Sequence, residues 1–154
     1  MRAAIQRRCP LQLPAFEIAL HTGMRKSEQF SLEWSQVLFE RKRIYLSMTK
    51  NGSDREIPMS KTCSSVLQGL AANKRNEHLF QSTRYDRALK DPKKWFENAM
   101  EEAAIDDFRW HHLRHTFCSR LVMAGVDLRT VAQLAGRKSI SMTMRYSHLA
   151  PEYN

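Results

Sequence analysis

Apolar positions recur at helical spacing over most of this chain, with one stretch in which they alternate instead. Residues 14–20 read as a short helix: Pro14 suits a first turn, and Gly23 supplies a left-handed stop. A second short helix covers 25–32, and Trp34 leads out of it. There the period changes. Positions 37–39 and 44–48 read as strands, with Ile44, Leu46 and Met48 alternating with Tyr45 and Ser47. Asn51-Gly52 is a hairpin signal, because the tight turn between paired strands needs positive φ at its centre. Residues 56–59 supply the returning strand, and Pro58, which cannot donate to a ladder, puts that strand at an edge.

Helical spacing then returns. Ser60 can cap a helix whose face is Val66, Leu67 and Leu70. Leu79-Phe80 reads as a brief strand and 81–90 as a charged loop. Asp91-Pro92 opens a helix as cap and first helical position, and Trp95, Phe96, Ala99, Met100 and Ala103 follow at helical intervals. The helix over 112–124 carries Leu113, Phe117, Leu121 and Ala124 on one face and stops at Gly125. Asp127 caps the next helix, which Gly136 ends. A last helix starts at Ser139 or Ser141, runs to Leu149 and is closed by Pro151. About seven helices and three or four strands make the class α+β, mainly α, with a small antiparallel sheet in a single domain. Trp95, Phe96 and the methionines, including Met123, Met142 and Met144, are expected in the core, and His148 is expected to pack beside the last helix.

Charge narrows the partners. The 154 residues carry 25 Lys+Arg against 16 Asp+Glu, a net charge of +9. Such an excess points to a polyanion, nucleic acid ahead of a lipid surface. Cys9, Cys63 and Cys118 are odd in number and far apart, which predicts reduced thiols rather than a disulfide framework. Pro10, Pro14 and Glu17 interrupt the only signal-like apolar run near the N-terminus. No stretch is long enough to span a bilayer. The expectation is a soluble, cytoplasmic protein associated with the nucleoid.

Chemistry concentrates in three short runs. Thr-Gly-Met-Arg-Lys-Ser-Glu at 22–28 sets Arg25 at a helix start. His-His-Leu-Arg-His at 111–115 presents His111 and Arg114, and Arg-Tyr-Ser-His-Leu at 145–149 presents Tyr146 beside an arginine. Arginine's planar fork matches phosphate oxygens, and a phenol can attack phosphorus covalently. Two arginines, a histidine and a tyrosine without a carboxylate suit a phosphodiester better than a metal. His111, His112, His115 and Cys118 have no accompanying cysteine pair or acid, so zinc is not expected.

Taken together with Thr49-Lys50-Asn51-Gly52 and Leu-Ala-Gly-Arg-Lys-Ser at 134–139, these runs resemble, in order and spacing, the catalytic domain of the tyrosine recombinases, the phage integrase family. The resemblance covers roughly 20–151 and implies an integrase-type catalytic fold. It further implies site-specific DNA recombination by metal-independent strand cleavage and rejoining through a 3′-phosphotyrosine. In that scheme Arg25 and Arg114 hold the scissile phosphate, Tyr146 attacks, His111 accepts or positions the proton, and Lys50 protonates the leaving 5′-oxygen. Lys42 and Lys61 lie near enough in sequence to replace Lys50. No cofactor is implied. The partner would be double-stranded DNA, with several protomers assembled on it.

Two departures stand out. Where the family usually has His or Trp, nine residues before the tyrosine, this chain has Arg137, which can donate to a phosphate oxygen but cannot shuttle a proton. The N-terminal core-binding domain of the family is expected to be absent, so that 1–154 is the catalytic domain alone. These features leave open a catalytically degenerate DNA-binding fragment. The helix after Gly125 in a basic protein also admits a helix-turn-helix regulator, although that reading leaves Tyr146 unexplained.

Overall fold

In a computed structural model, residues 1–47, 52–81, 89 and 91–152 are described. Among them the helices are α1 (Arg2–Arg8), α2 (Leu13–Thr22), α3 (Lys26–Phe30), α4 (Lys61–Ala71), α5 (Lys93–Glu102), α6 (Trp110–Met123) and α7 (Leu128–Leu134). Strands β1 (Val37–Leu38), β2 (Arg43–Leu46) and β3 (Arg55–Pro58) form one antiparallel sheet in the order β1-β2-β3. The mainly α class with a small sheet therefore holds. Short 3₁₀ helices occupy Pro10–Gln12, Trp34–Gln36, Ile140–Met142 and Met144–Leu149.

Helix α2 is the central element, packed on both α4 and α6. Ala15, Phe16, Ile18, Ala19 and Leu20 are all buried, so it is apolar on nearly every side, as a helix surrounded by protein must be. Its one buried acid, Glu17, is satisfied by Arg2 of α1. In the sheet Ile44 lies opposite Ile57 and both are fully buried, each worth about 1.5–3 kcal/mol. Pro58 does sit on an edge strand. Phe30, Phe80, Phe96 and Trp110 form an aromatic group beneath α5 and α6, with Trp95 edge-on to Trp110 at 5.6 Å.

Several expectations require correction. Helix α1 was not foreseen; it is short and arginine-rich, and only Ala4 and Ile5 are buried to hold it. Leu79-Phe80 is not a strand; both residues lie in a bend, with isolated bridge residues on either side at His78, which pairs with Glu33, and Gln81. Pro92 is the cap residue of α5 rather than its first helical residue, and Asp91 accepts from the Lys93 N–H at 3.0 Å. On α6 the buried row continues through Cys118 and Val122, while Ala124 is exposed. Asn51 of the expected hairpin turn, and nearly all of the expected 81–90 loop, lie outside the described residues.

The final segment is 3₁₀, not α. Bonds run from Thr143 N–H to Ile140, Tyr146 N–H to Thr143 and Ala150 N–H to Ser147. A three-residue repeat stacks every third side chain. Thr143 and Tyr146 are accordingly buried, with Leu149 partly so, whereas Met142, Met144 and His148 face outward. The methionines expected as core filler here, Met123 included, are exposed; among the described methionines Met24 and Met100 are buried. Among the described residues no helix is long and apolar enough to cross a membrane.

A cationic candidate active site

Two helix-ending glycines hold two of the arginines. Gly23 terminates α2 at φ +62°, and its carbonyl accepts from Arg114 Nη1 at 2.8 Å. Gly136 follows α7 at φ +65°, and its carbonyl accepts from Arg25 Nη2 at 2.8 Å. Carbonyls at helix C-termini lack intrahelical donors and carry the negative end of the helix dipole, so guanidinium groups dock there. Arg25 itself precedes α3 in extended conformation.

A carboxylate does belong to this cluster, contrary to the sequence reading. Glu28 Oε1 accepts from Arg25 Nη1 at 2.9 Å and Arg55 Nη1 at 2.8 Å. Its Oε2 accepts from Arg55 Nη2 at 2.9 Å and from the Arg25 backbone N–H at 2.8 Å. Burial alone would raise the Glu28 pKa, but the hydrogen bonds from Arg55 and Arg25 outweigh it and hold the group below its ordinary value. Among the described residues, one acid against Arg25, Arg55, Arg114 and Arg137 leaves the site strongly cationic. The consequence is visible at Arg114, whose pKa is pushed down to about 10 by burial and then by Arg25 and Arg137. Although almost fully buried, Arg114 lines a cavity of about 650 Å³ together with His111, Met24, Phe96 and Trp110.

Tyr146 is only 5% exposed, its ring packed with Phe117, Cys118, Val122, Val131 and Ala135. Its hydroxyl nevertheless meets the cations. Arg137 Nη2 lies 3.4 Å away, and the Arg137 guanidinium sits 5.6 Å from the ring centroid with Arg145 at 5.8 Å. Arg137 is braced in turn on the Met142 carbonyl. The other partner of the hydroxyl is His115 Nδ1. Burial and Cys118 raise the Tyr146 pKa against the opposing pull of Arg137 and Arg145.

The predicted histidine stands one turn away from the hydroxyl. His111 is exposed, and its ring meets that of His115 edge to face at 4.9 Å. Partial burial and then Arg114 depress its pKa. His112 serves the helix instead, because its Nδ1 accepts from the Arg109 N–H at 2.8 Å and caps α6. Arg25, Arg114, Arg137 and Tyr146 thus converge from four separated segments, with His111 at the rim. Lys50 lies outside the described residues.

Sequence reasoning missed His115, Glu28 and Arg55. The first two left a local signal. His115 falls four residues after His111 on the same helix, and Glu28 is three residues after Arg25, a spacing from which an acid reaches back to the preceding N–H. Arg55 gave none, since only the sheet carries it to Glu28. Among the described residues no group of three or more His, Cys, Asp or Glu side chains could hold a metal ion.

The sequence profile of the phage integrase family matches residues 3–152. The integrase of Salmonella phage P22 is 34% identical over 151 residues, covering 89% of this chain and 39% of that protein. A shufflon-specific DNA recombinase of Escherichia coli is 30% identical over 135 residues, covering 87% of this chain and 34% of that protein. The chain therefore spans well under half the length of these curated relatives. Among solved structures, the catalytic domain of bacteriophage HP1 integrase is similar with a TM-score of 0.76 at 31% identity, over 97% of this chain and 82% of that one. A Tn1549 transposon integrase in complex with circular intermediate DNA gives a TM-score of 0.80 at 22% identity, over 99% of this chain and 60% of that one, a likeness of fold.

Proposed function

Because this chain belongs to the phage integrase family, we propose that it cuts and rejoins double-stranded DNA at specific sites through a 3′-phosphotyrosine intermediate. The observation that carries this reading is that Arg25 and Arg137 both act on the buried Arg114, while Arg137 also bonds to the Tyr146 hydroxyl, with too few acids among the described residues to neutralise them. Like charges held this close repel one another, and an anion relieves that repulsion; a phosphodiester supplies it.

Arg25 and Arg114 bind the nonbridging oxygens and stabilise charge that accumulates in the pentacoordinate transition state. Removing one such preorganised donor costs about 10²–10³ in rate. Both are fixed before DNA arrives, by glycine carbonyls and, for Arg25, by Glu28. Arg137 takes the place where the family carries His or Trp and donates to the same phosphate. Lys50 protonates the departing 5′-oxygen, a role taken from its motif. The bond energy stays in the phosphotyrosine, so a second 5′-hydroxyl can attack and rejoin the strands without metal or nucleotide. Several protomers act together on the DNA, where the protein is found in the cell.

A nicked duplex that traps the covalent product tests this. Wild-type protein should form a detergent-stable adduct in the presence of a chelator, and Tyr146→Phe should form none. An adduct of equal yield with Tyr146→Phe eliminates the nucleophile; none with wild type eliminates the enzymatic reading.

A further inference from the structure

We propose that His115, rather than His111, is the catalytic base that takes the proton from Tyr146. The inference rests on the phosphotyrosine reading and adds a residue to it. Among the described residues, the Tyr146 hydroxyl has two hydrogen-bond partners, His115 Nδ1 and Arg137 Nη2. Only one of these can receive a proton. Arginine stays ionised and has no acceptor, whereas the Nδ1 of a neutral imidazole offers a lone pair when the ring proton resides on Nε2. His115 also lies on the same turn of α6 as Arg114, so whatever fixes the phosphate-binding arginine fixes the base.

The surroundings keep that lone pair free. The charged groups that act on His115 are His111 and His112 on its own helix, Arg137 after α7, and Arg145 on the Met144–Leu149 helix, all of them bases. Burial comes first and these neighbours second in lowering its pKa to about 4. At neutral pH the ring is therefore unprotonated beside the phenol. So weak a base cannot ionise a phenol whose own pKa is raised, and the resting site stays silent.

A phosphodiester changes that balance. Its negative charge among Arg25, Arg114 and Arg137 offsets the repulsion that disfavours an imidazolium at His115, so the ring becomes more basic only when substrate is in place. As the Tyr146 oxygen bonds to phosphorus, its proton passes to His115 Nδ1. The bond from phosphorus to the 5′-oxygen breaks, and that oxygen leaves with the electron pair and is protonated by the general acid. In rejoining, the imidazolium returns the proton to the Tyr146 oxygen as its bond to phosphorus breaks.

The test measures the rate of adduct formation on nicked duplexes carrying either an ordinary scissile phosphate or a 5′-bridging phosphorothiolate, whose thiolate leaves without an acid. His115→Ala should slow adduct formation by about 10²–10⁴-fold, the range for loss of a positioned base. The deficit should be similar on both duplexes, and added imidazole should partly restore the rate. His115→Asn places an amide near the former Nδ1 position and can hydrogen-bond to the phenol without accepting its proton; it should be as slow, and it carries the test if the alanine variant does not fold. A rate near wild type for the asparagine variant, or a faster alanine variant, reduces the contact to a clamp and overturns the proposal. So does a deficit that vanishes on the phosphorothiolate, which moves the residue to the leaving-group side. Absence of adduct with wild type overturns the functional reading along with it, whereas wild-type adduct with unimpaired His115 variants overturns this inference alone.

Discussion

Arg55 grips both carboxylate oxygens of Glu28, at 2.8 and 2.9 Å, across 27 residues of sequence. Both side chains are about nine-tenths buried. The pair joins β3 to α3, and through the second set of bonds on Glu28 it sets the position of Arg25. Without Arg55, Glu28 keeps Arg25 as a partner but loses two buried charge-assisted bonds. Arg55→Ala should destabilise the fold by about 1.5–3 kcal/mol, read by denaturant unfolding. Glu28→Gln in the same background should recover part of that loss. An Arg55→Ala protein as stable as wild type would mean that water screens the pair.

Gly23 should tolerate no side chain. At its φ of +62° a β-carbon would lie 2.2 Å from the Phe117 ring, inside any real contact distance. The left-handed conformation alone costs a residue with a β-carbon about 1–2 kcal/mol, and the clash adds to it. Gly23→Ala should therefore lower the unfolding midpoint clearly. It should also slow DNA cleavage beyond its effect on stability, because the Gly23 carbonyl seats Arg114.

Arg137 joins the loop after α7 to the tyrosine segment through the Met142 carbonyl and the Tyr146 hydroxyl. In Arg137→Ala, amide hydrogen exchange at residues 143–149 should quicken. DNA affinity should also become less salt-dependent, since each lost phosphate contact removes about 0.9 from the log–log slope. An unchanged slope would mean that Arg137 serves Tyr146 without touching the backbone of DNA.

Acid should loosen the free protein before carboxylates titrate. His115 takes a proton near 6.5 when unfolded but only at about 4 when folded. Between those values the unfolded chain binds more protons, so stability is complete above the upper value and declines as pH falls toward the lower one. His111 and His21 shift in the same direction. Glu28, with a depressed pKa, adds a further loss as pH drops below its unfolded value of 4.5. Thermal midpoints measured from about pH 7 to pH 4.5 should fall, and His115→Asn should flatten that dependence. Saturating DNA should flatten it too, by supplying the counter-charge.

Elements with local causes were legible in the chain itself. Glycine at a helix end, Asp127 as cap, Ser60 as cap and alternation at 44–46 each act within a few residues, and each appears where expected. The arginines and the tyrosine were legible too, because their motifs are short. Tertiary structure decided which groups meet. Nothing near Arg55 in sequence announces Glu28, and the helical period that fits 139–149 gave way to a three-residue repeat that buries Thr143 and Tyr146 together. The same packing put His115, not His111, against the phenol: two rings a single turn apart on one helix are equivalent until a distant segment is laid across one of them.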